Sequence, residues 1–223
     1  MEEPIAIPES FRGLDPEKRI TIYIRNPPHW RQEGASYFVT FRLKDSIPAE
    51  VLGRHQTELK KLYGELGIEP GTHISNDHLG QARLQTLQQE TARALEAALD
   101  AGHGACILKD RTAREPIVEA FRYHEEHSFD LHCYVIMPNH CHALVSPFPK
   151  KSLERVVQSI KSFSSRRIGH GGPLWQEESY DTIIRDEDHF RNVARYIHQN
   201  PWKARLLHSE YTLFKNRTEG RVK

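Results

Sequence analysis

Between residues 36 and 43, "SYFVTFRL" alternates Tyr37, Val39, Phe41 and Leu43 with Phe38, Thr40 and Arg42, the period of two expected of a strand. "DSIP" ends it. Residues 49–66 and 79–100 then change to helical spacing. In the second run Leu84, Leu87, Leu95 and Leu99 recur near the helical period, and Gly102 supplies a stop. "GIEPGTHISND" between the two reads as a loop, so the Gln- and Ala-rich region 49–101 predicts a helical hairpin. Thr112-x-x-Glu115 ahead of Pro116 has the form of a capping box for a third helix, with Ile117, Ala120, Phe121 and His124 on one face. "FDLHCYVIM" (129–137) predicts a strand with Phe129, Leu131, Cys133, Val135 and Met137 on one side. Pro138-Asn139 turns the chain and "HCHALVS" (140–146) is its hairpin partner. "SLERVVQSIKSFSSRRI" predicts an amphipathic helix with Leu153, Val156, Val157, Ile160 and Phe163 inward and Lys161, Arg166 and Arg167 outward. After "GHGGPLW", a short strand runs through "YDTIIR". Asp186 caps a last helix to about Gln199, which Pro201 ends because the residue before proline is disfavoured in α conformation.

Without the 49–101 insertion the order is strand, helix, two-stranded hairpin, helix, strand, helix. Its natural closure is an α+β fold, an antiparallel sheet with packed helices, ferredoxin-like in character. Residues 1–34, Pro-rich and without periodicity, predict an extended arm packed on the body of one domain spanning 1–223.

Composition narrows the function classes. Hydrophobic content of 38% and charged content of 27% fit a soluble globular chain, and no apolar run approaches the roughly 18 residues of a membrane span. The start, "MEEPIAIPESFRGL", lacks the basic region and apolar core of a secretory signal. The 3 cysteines form no C-x-x-C, against a disulfide framework or a cysteine-based zinc site. A reducing cytoplasm is the expected setting. Net charge is only +1, but residues 150–223 carry 15 Lys and Arg against 9 Asp and Glu, while 51–100 carry 5 against 7. That asymmetry points to a polyanionic partner at the C-terminal third, with an ordinary solvated surface as the equal alternative.

The candidate chemistry centres on "VIMPNHCHALV". On a strand, residues i and i+2 share a face, so His140 and His142 project together while Cys141 turns to the core side. With 14 His in the chain, one H-x-H is expected by chance, and two imidazoles are too few for a stable site. A hard cation such as Mg²⁺ or Mn²⁺ needs oxygen ligands besides. In "RDEDHFRNVARYIHQNP", Phe190, Val193, Ala194 and Ile197 form a buried stripe, and Asn192, Tyr196 and Asn200 share its flank at i, i+4, i+8. A phenol and two amides can thus look across at the histidine strand. Taken singly, H-x-H in a strand is more often structural, and a helical tyrosine more often a residue at the rim of a core.

Together, "MPNHCH", the basic amphipathic helix, "LWQEESYDTIIRDEDHFRNVARYIHQNP" and the early "YFVTFRL" strand resemble the REP-associated tyrosine transposases, relatives of the single-tyrosine HUH transposases of small insertion sequences. The resemblance spans residues 29–48 and 104–207 and leaves the 49–101 hairpin outside. It implies an HUH nuclease core in which His140 and His142 bind a divalent metal, Mg²⁺ or Mn²⁺, Asn200 completes the metal shell, and Tyr196 is the nucleophile. Cys141 departs from the bulky hydrophobe of the motif, on the core side. The implied reaction is attack by Tyr196 on a phosphodiester of single-stranded DNA at palindromic repeat hairpins, leaving a 5′-phosphotyrosine and a free 3′-OH. A monomer is expected rather than a dimer that exchanges its tyrosine helix.

Other readings stay open on the sequence. The chain could be a catalytically silent DNA-binding protein on the same scaffold, or a zinc hydrolase with a further ligand, for which His132 qualifies only if its strand face matches. Tyr180 is the rival nucleophile, though relatives carry the tyrosine on the helix. Lys150, Lys151, Lys161, Arg166 and Arg167 are candidate phosphate contacts, with a plain solvated face as the alternative for any one of them. Trp175 is a candidate for stacking on an unpaired base, although core packing is the stronger reading of it. His189 and His198 read as solvent-side helix residues.

Overall fold

The computed structural model describes residues 5–25, 28–75, 81–169 and 171–216. Along the chain run β1 (Thr21–Tyr23), β2 (His29–Arg31), β3 (Tyr37–Arg42), α1 (Ala49–Leu66), β4 (His73–Ser75), α2 (Gln81–Asp100), α3 (Arg111–His127), β5 (Phe129–Ile136), β6 (His140–Pro147), α4 (Leu153–Ile168), β7 (Tyr180–Ile183), α5 (Glu187–Lys203) and β8 (Thr212–Lys215). The first two residues expected in the second helix, and the side chain of Leu87 within it, lie outside the described residues.

The main sheet has the order β7-β3-β6-β5-β8, every neighbour antiparallel. The chain order β3-α3-β5-β6-α4-β7 with β3 between β7 and β6 is the ferredoxin-like arrangement. The fold is α+β, as the spacing predicts, with β8 added beside β5 at the edge. Helices α3 and α4 cover one face, where Ile117, Phe121, Val156 and Ile160 pack on Tyr37, Val39, Phe41, Cys141, Ala143 and Val145. Helix α5 covers the other, with Phe190, Val193, Ala194 and Ile197 against Cys133, Val135, Met137 and Leu144.

Four local expectations change. β5 does not keep one apolar side: its pairing with β6 shifts between Leu131 and Cys133. A bulge adds one residue and reverses the alternation, so Phe129 and Leu131 join the α3/α4 core while Cys133 and Val135 join the α5 core. The N-terminal arm is not merely extended, since β1 pairs with both β2 and β4 in a small second sheet. That pairing recruits His73–Ser75 from the expected loop. The third helix is capped by Asp110, whose carboxylate accepts the Thr112 N–H at 2.9 Å, rather than by a box at Thr112. Finally, α5 continues through Pro201 to Lys203. Proline removes one ladder bond, but Pro201 is buried, and its carbonyl and that of Asn200 accept from Leu206 and Ala204.

The insertion is fastened where it returns. Ala105 N–H donates to Asp45 Oδ2 at 2.7 Å, and a Cβ on Gly104 (φ +86°) would stand 2.6 Å from the Asp45 carbonyl oxygen, so this approach requires glycine.

A buried charge network joins the two sheets. Asp181 on β7 accepts from Arg31 Nη2 at 2.9 Å and pairs with His29 Nδ1 at 2.7 Å. Arg31 also pairs with Glu154 of α4, and His29 Nε2 lies 3.3 Å from Glu178. Burial opposes a charged His29, but hydrogen bonds to Asp181 and Glu178 and the charge of Asp181 prevail and raise it to about 9. Because the folded value exceeds the ordinary 6.5, this stabilisation is complete below pH 6.5 and is lost as pH rises through about 9. Asp181→Asn, which leaves buried cations without their acid, should lower stability by roughly 3–5 kcal/mol. Chemical denaturation across this pH range should show a decline in the wild type that is flattened in the variant.

Candidate active site

The site is built on the face of the main sheet that α5 covers. Register decides its composition: in the β3–β6 pairing Thr40 stands opposite His142 and Arg42 opposite His140. Both histidines are buried, at 1% and 0% exposure. Their Nε2 atoms face each other at 3.0 Å. Burial drives His140 down to about 3 and His142 well below its ordinary value, the latter also opposed by its neighbour. Both rings are therefore neutral and have lone pairs to offer.

Their far nitrogens are held. His140 Nδ1 donates to Asn139 Oδ1 at 2.7 Å, while the Asn139 amide nitrogen donates to the carbonyls of Leu99 (3.3 Å) and His103 (3.1 Å). The amide orientation is thereby fixed, which leaves the His140 Nε2 lone pair facing the centre. His142 Nδ1 lies 2.8 Å from Thr40 Oγ1, a hydroxyl that serves either tautomer by donating or accepting. Phe38 stacks on the His142 ring at 5.2 Å and meets Tyr196 edge-on at 5.9 Å.

Helix α5 supplies the phenol and the amide. The Tyr196 hydroxyl is 3.5 Å from His142 Nε2. One turn on, Asn200 is 2% exposed and neither atom of its amide has a hydrogen-bond partner among the described residues, although it favours the charged form of Tyr196. Burial first, then the carboxylates of Glu96 and Asp100, push the Tyr196 pKa far above its ordinary value. Those two acids come from α2. Glu96 is itself raised to about 7 by burial and by Asp100, with Arg93 and Lys203 opposing. The Lys203 ammonium sits 5.6 Å from the centre of the Tyr196 ring.

This donor set fits a divalent cation. Two imidazole nitrogens each about 2.1 Å from one ion at a right angle lie about 3.0 Å apart, the observed separation. Leaving a buried amide unpaired costs about 1–3 kcal/mol, which a ligand on Asn200 Oδ1 would relieve. Among the described residues no group of three or more His, Cys, Asp or Glu could hold a metal. The remaining polar group of this set is an amide, that of Asn200.

Several candidates occupy other places. His132 Nε2 pairs with Ser146 Oγ at 2.7 Å, and its ring meets Phe190 edge-on. Tyr180, on β7, packs with Ile47, Leu95 and Leu99 beside the buried Arg42 guanidinium. Lys161 does not face outward: it is 4% exposed and donates to the carbonyls of Gln176 (2.9 Å) and Glu177 (2.8 Å). It lies on the inner edge of the α4 stripe, where a long side chain reaches across to the β7 approach. Burial lowers its pKa to about 8. Trp175 packs edge-on to Phe41 at 5.0 Å and donates to Ser164 Oγ at 3.0 Å, so it belongs to the core. Lys150, Lys151, Arg166 and Arg167 are exposed, with Arg167 3.7 Å from Glu119. His189 and His198 are half-buried.

Sequence reasoning missed Thr40, Asn139, Glu96 and Asp100. Asn139 stood inside the quoted motif and read only as a turn residue. Thr40 interrupts an otherwise large-residue strand and needed the register to acquire meaning.

Residues 107–200 match the family model "Transposase IS200 like", a span that holds His140, His142 and Tyr196 and ends on Asn200. No curated protein matches. A solved structure described as a REP-associated tyrosine transposase bound to a REP hairpin is similar at 15% identity and a TM-score of 0.44, over 78% of this chain and 71% of that one. No helix among the described residues is long and apolar enough to cross a membrane.

Lys161→Met should lower stability by about 2 kcal/mol, since it removes two charge-assisted hydrogen bonds to the Gln176 and Glu177 carbonyls, whereas Arg166→Ala should change it by less than about 0.5 kcal/mol. Denaturant midpoints compared at constant slope check both.

Proposed function

We propose that this chain, whose residues 107–200 match the IS200-like transposase model, is a metal-dependent endonuclease and strand transferase of single-stranded DNA. Tyr196 is its nucleophile. The observation that carries the reading is the convergence of two neutral imidazoles 3.0 Å apart, a phenol 3.5 Å from one of them, and an unpartnered amide one helical turn beyond.

In this reading the Tyr196 oxygen attacks phosphorus, the Tyr196 O–P bond forms and the P–O3′ bond breaks. A 5′-phosphotyrosine and a 3′-OH result. Keeping the phosphate covalently bound preserves a bond from which a strand can be rejoined, as hydrolysis would not. His140, His142 and Asn200 would hold Mg²⁺ or Mn²⁺, which supplies Lewis-acid polarisation of the phosphate oxygens. Asn139 and Thr40 orient the two rings, as outer partners of metal-binding histidines do. Phe38 fixes the His142 plane and the Tyr196 edge. The tyrosine's raised pKa means the phenol holds its proton until substrate is engaged. The substrate is a palindromic DNA hairpin with single-stranded flanks, met by the exposed Arg166 and Arg167 and by Lys150 and Lys151.

A second reading, a DNA-binding protein that no longer cleaves, is favoured by one observation: the histidines and Asn200 are almost wholly buried. Covalent adduct formation separates the two. With hairpin oligonucleotides and Mn²⁺, wild type should yield a denaturation-resistant protein–DNA adduct that EDTA and Tyr196→Phe each abolish. His140→Ala should slow it by more than about 100-fold, with hairpin affinity within a few-fold. Binding with no adduct under any of these conditions would select the second reading. Charge reversal at Arg166 and Arg167 should reduce the salt slope of binding by about 1.8 if each meets a duplex phosphate. An unchanged slope would remove α4 from the interface.

A further inference from the structure

A cleft of about 520 Å³ runs between the inserted helix α2 and helix α5 and ends at Tyr196. Its α2 wall presents Gln85, Gln89 and Arg93 at successive turns, so these side chains stack along one line. Arg185, His189 and Asn192 form the facing wall. Glu96, at the end where Tyr196 lies, is the one carboxylate among the described lining residues, and burial leaves it short of full charge at neutral pH. Two arginines therefore outweigh one partly neutralised acid.

Accepting Tyr196 as nucleophile, we propose that this cleft is the path of a single DNA strand to the scissile position, and that the inserted hairpin exists to supply one of its walls. The chemistry matches a strand and not a duplex. Amide side chains at helical repeat can hydrogen-bond unpaired base edges, and the arginines meet phosphates. The wall is also tied to the catalytic pair. Asn139, which orients His140, donates to the carbonyl of Leu99 near the end of α2 and to that of His103 just beyond it. Seating a strand against α2 is thus coupled mechanically to the histidines.

The test measures binding alone, in EDTA, with the full chain and two probes: a blunt hairpin oligonucleotide and the same hairpin with a single-stranded flank. Wild type should prefer the flanked probe. Arg93→Ala with Arg185→Ala should lower affinity for the flanked probe by about tenfold and make its salt slope shallower by about 1.4, as for two single-strand phosphates. Blunt-hairpin affinity should change by less than a factor of about two, as expected where those phosphates are absent. Gln85→Ala with Gln89→Ala, all surface positions, should show the same selectivity with a smaller salt effect. Equal loss on both probes, no loss on either, or no flank preference in wild type would each overturn the proposal. Because no cleavage is read, an absent Tyr196 adduct would defeat the catalytic reading without changing these outcomes.

Discussion

The pairing of β3 with β6 is the constraint from which the rest of the site follows. A slip of one residue would turn His140 and His142 into the α3/α4 core and present Cys141 and Ala143 to α5. Two apolar clusters on opposite faces resist that slip, because each strand offers alternate residues to each. Burying the aliphatic and aromatic side chains on both sides, at about 25 cal/mol per Å², fixes the register far more firmly than any polar contact in the site. Once it is fixed, Thr40 must stand beside His142.

The cost of the site lies in its burial. Two imidazoles enclosed without charge, an amide with no partner among the described residues and a buried arginine beside them are each unfavourable alone. Asn139, Thr40 and Phe38 hold the arrangement against relaxation, which is the expected balance where local structure serves chemistry instead of stability. The bulge in β5 belongs to the same design. By reversing the alternation it gives α5 an apolar bed in Cys133 and Val135, next to the histidine strand, while the beginning of β5 still serves the opposite core.

The inserted hairpin changes how Tyr196 is held. Glu96 and Asp100 raise the phenol's pKa beyond what burial does, and the end of α2 is fastened through Asn139 and the Asp45–Ala105 contact. An element outside the matched segment thus lies beside Tyr196 and holds the support of one histidine.

Periodicity alone determined four of the five main-sheet strands, the five helices and their order, because 2.0 and 3.6 repeats report directly which side chains leave water. The shared face of His140 and His142, and the flank that carries Tyr196 and Asn200, follow from the same local geometry. Residue spacing said nothing of β1, β2, β4 or β8, whose three or four residues are too short for a period and exist only by pairing. Nor could it reveal that Lys161 turns inward or that α2 reaches Tyr196, since a side chain's partners 15 or 100 residues away are chosen by packing. The residues able to do the chemistry are written locally; which of them meet, and in what dielectric, is a property of the closed fold.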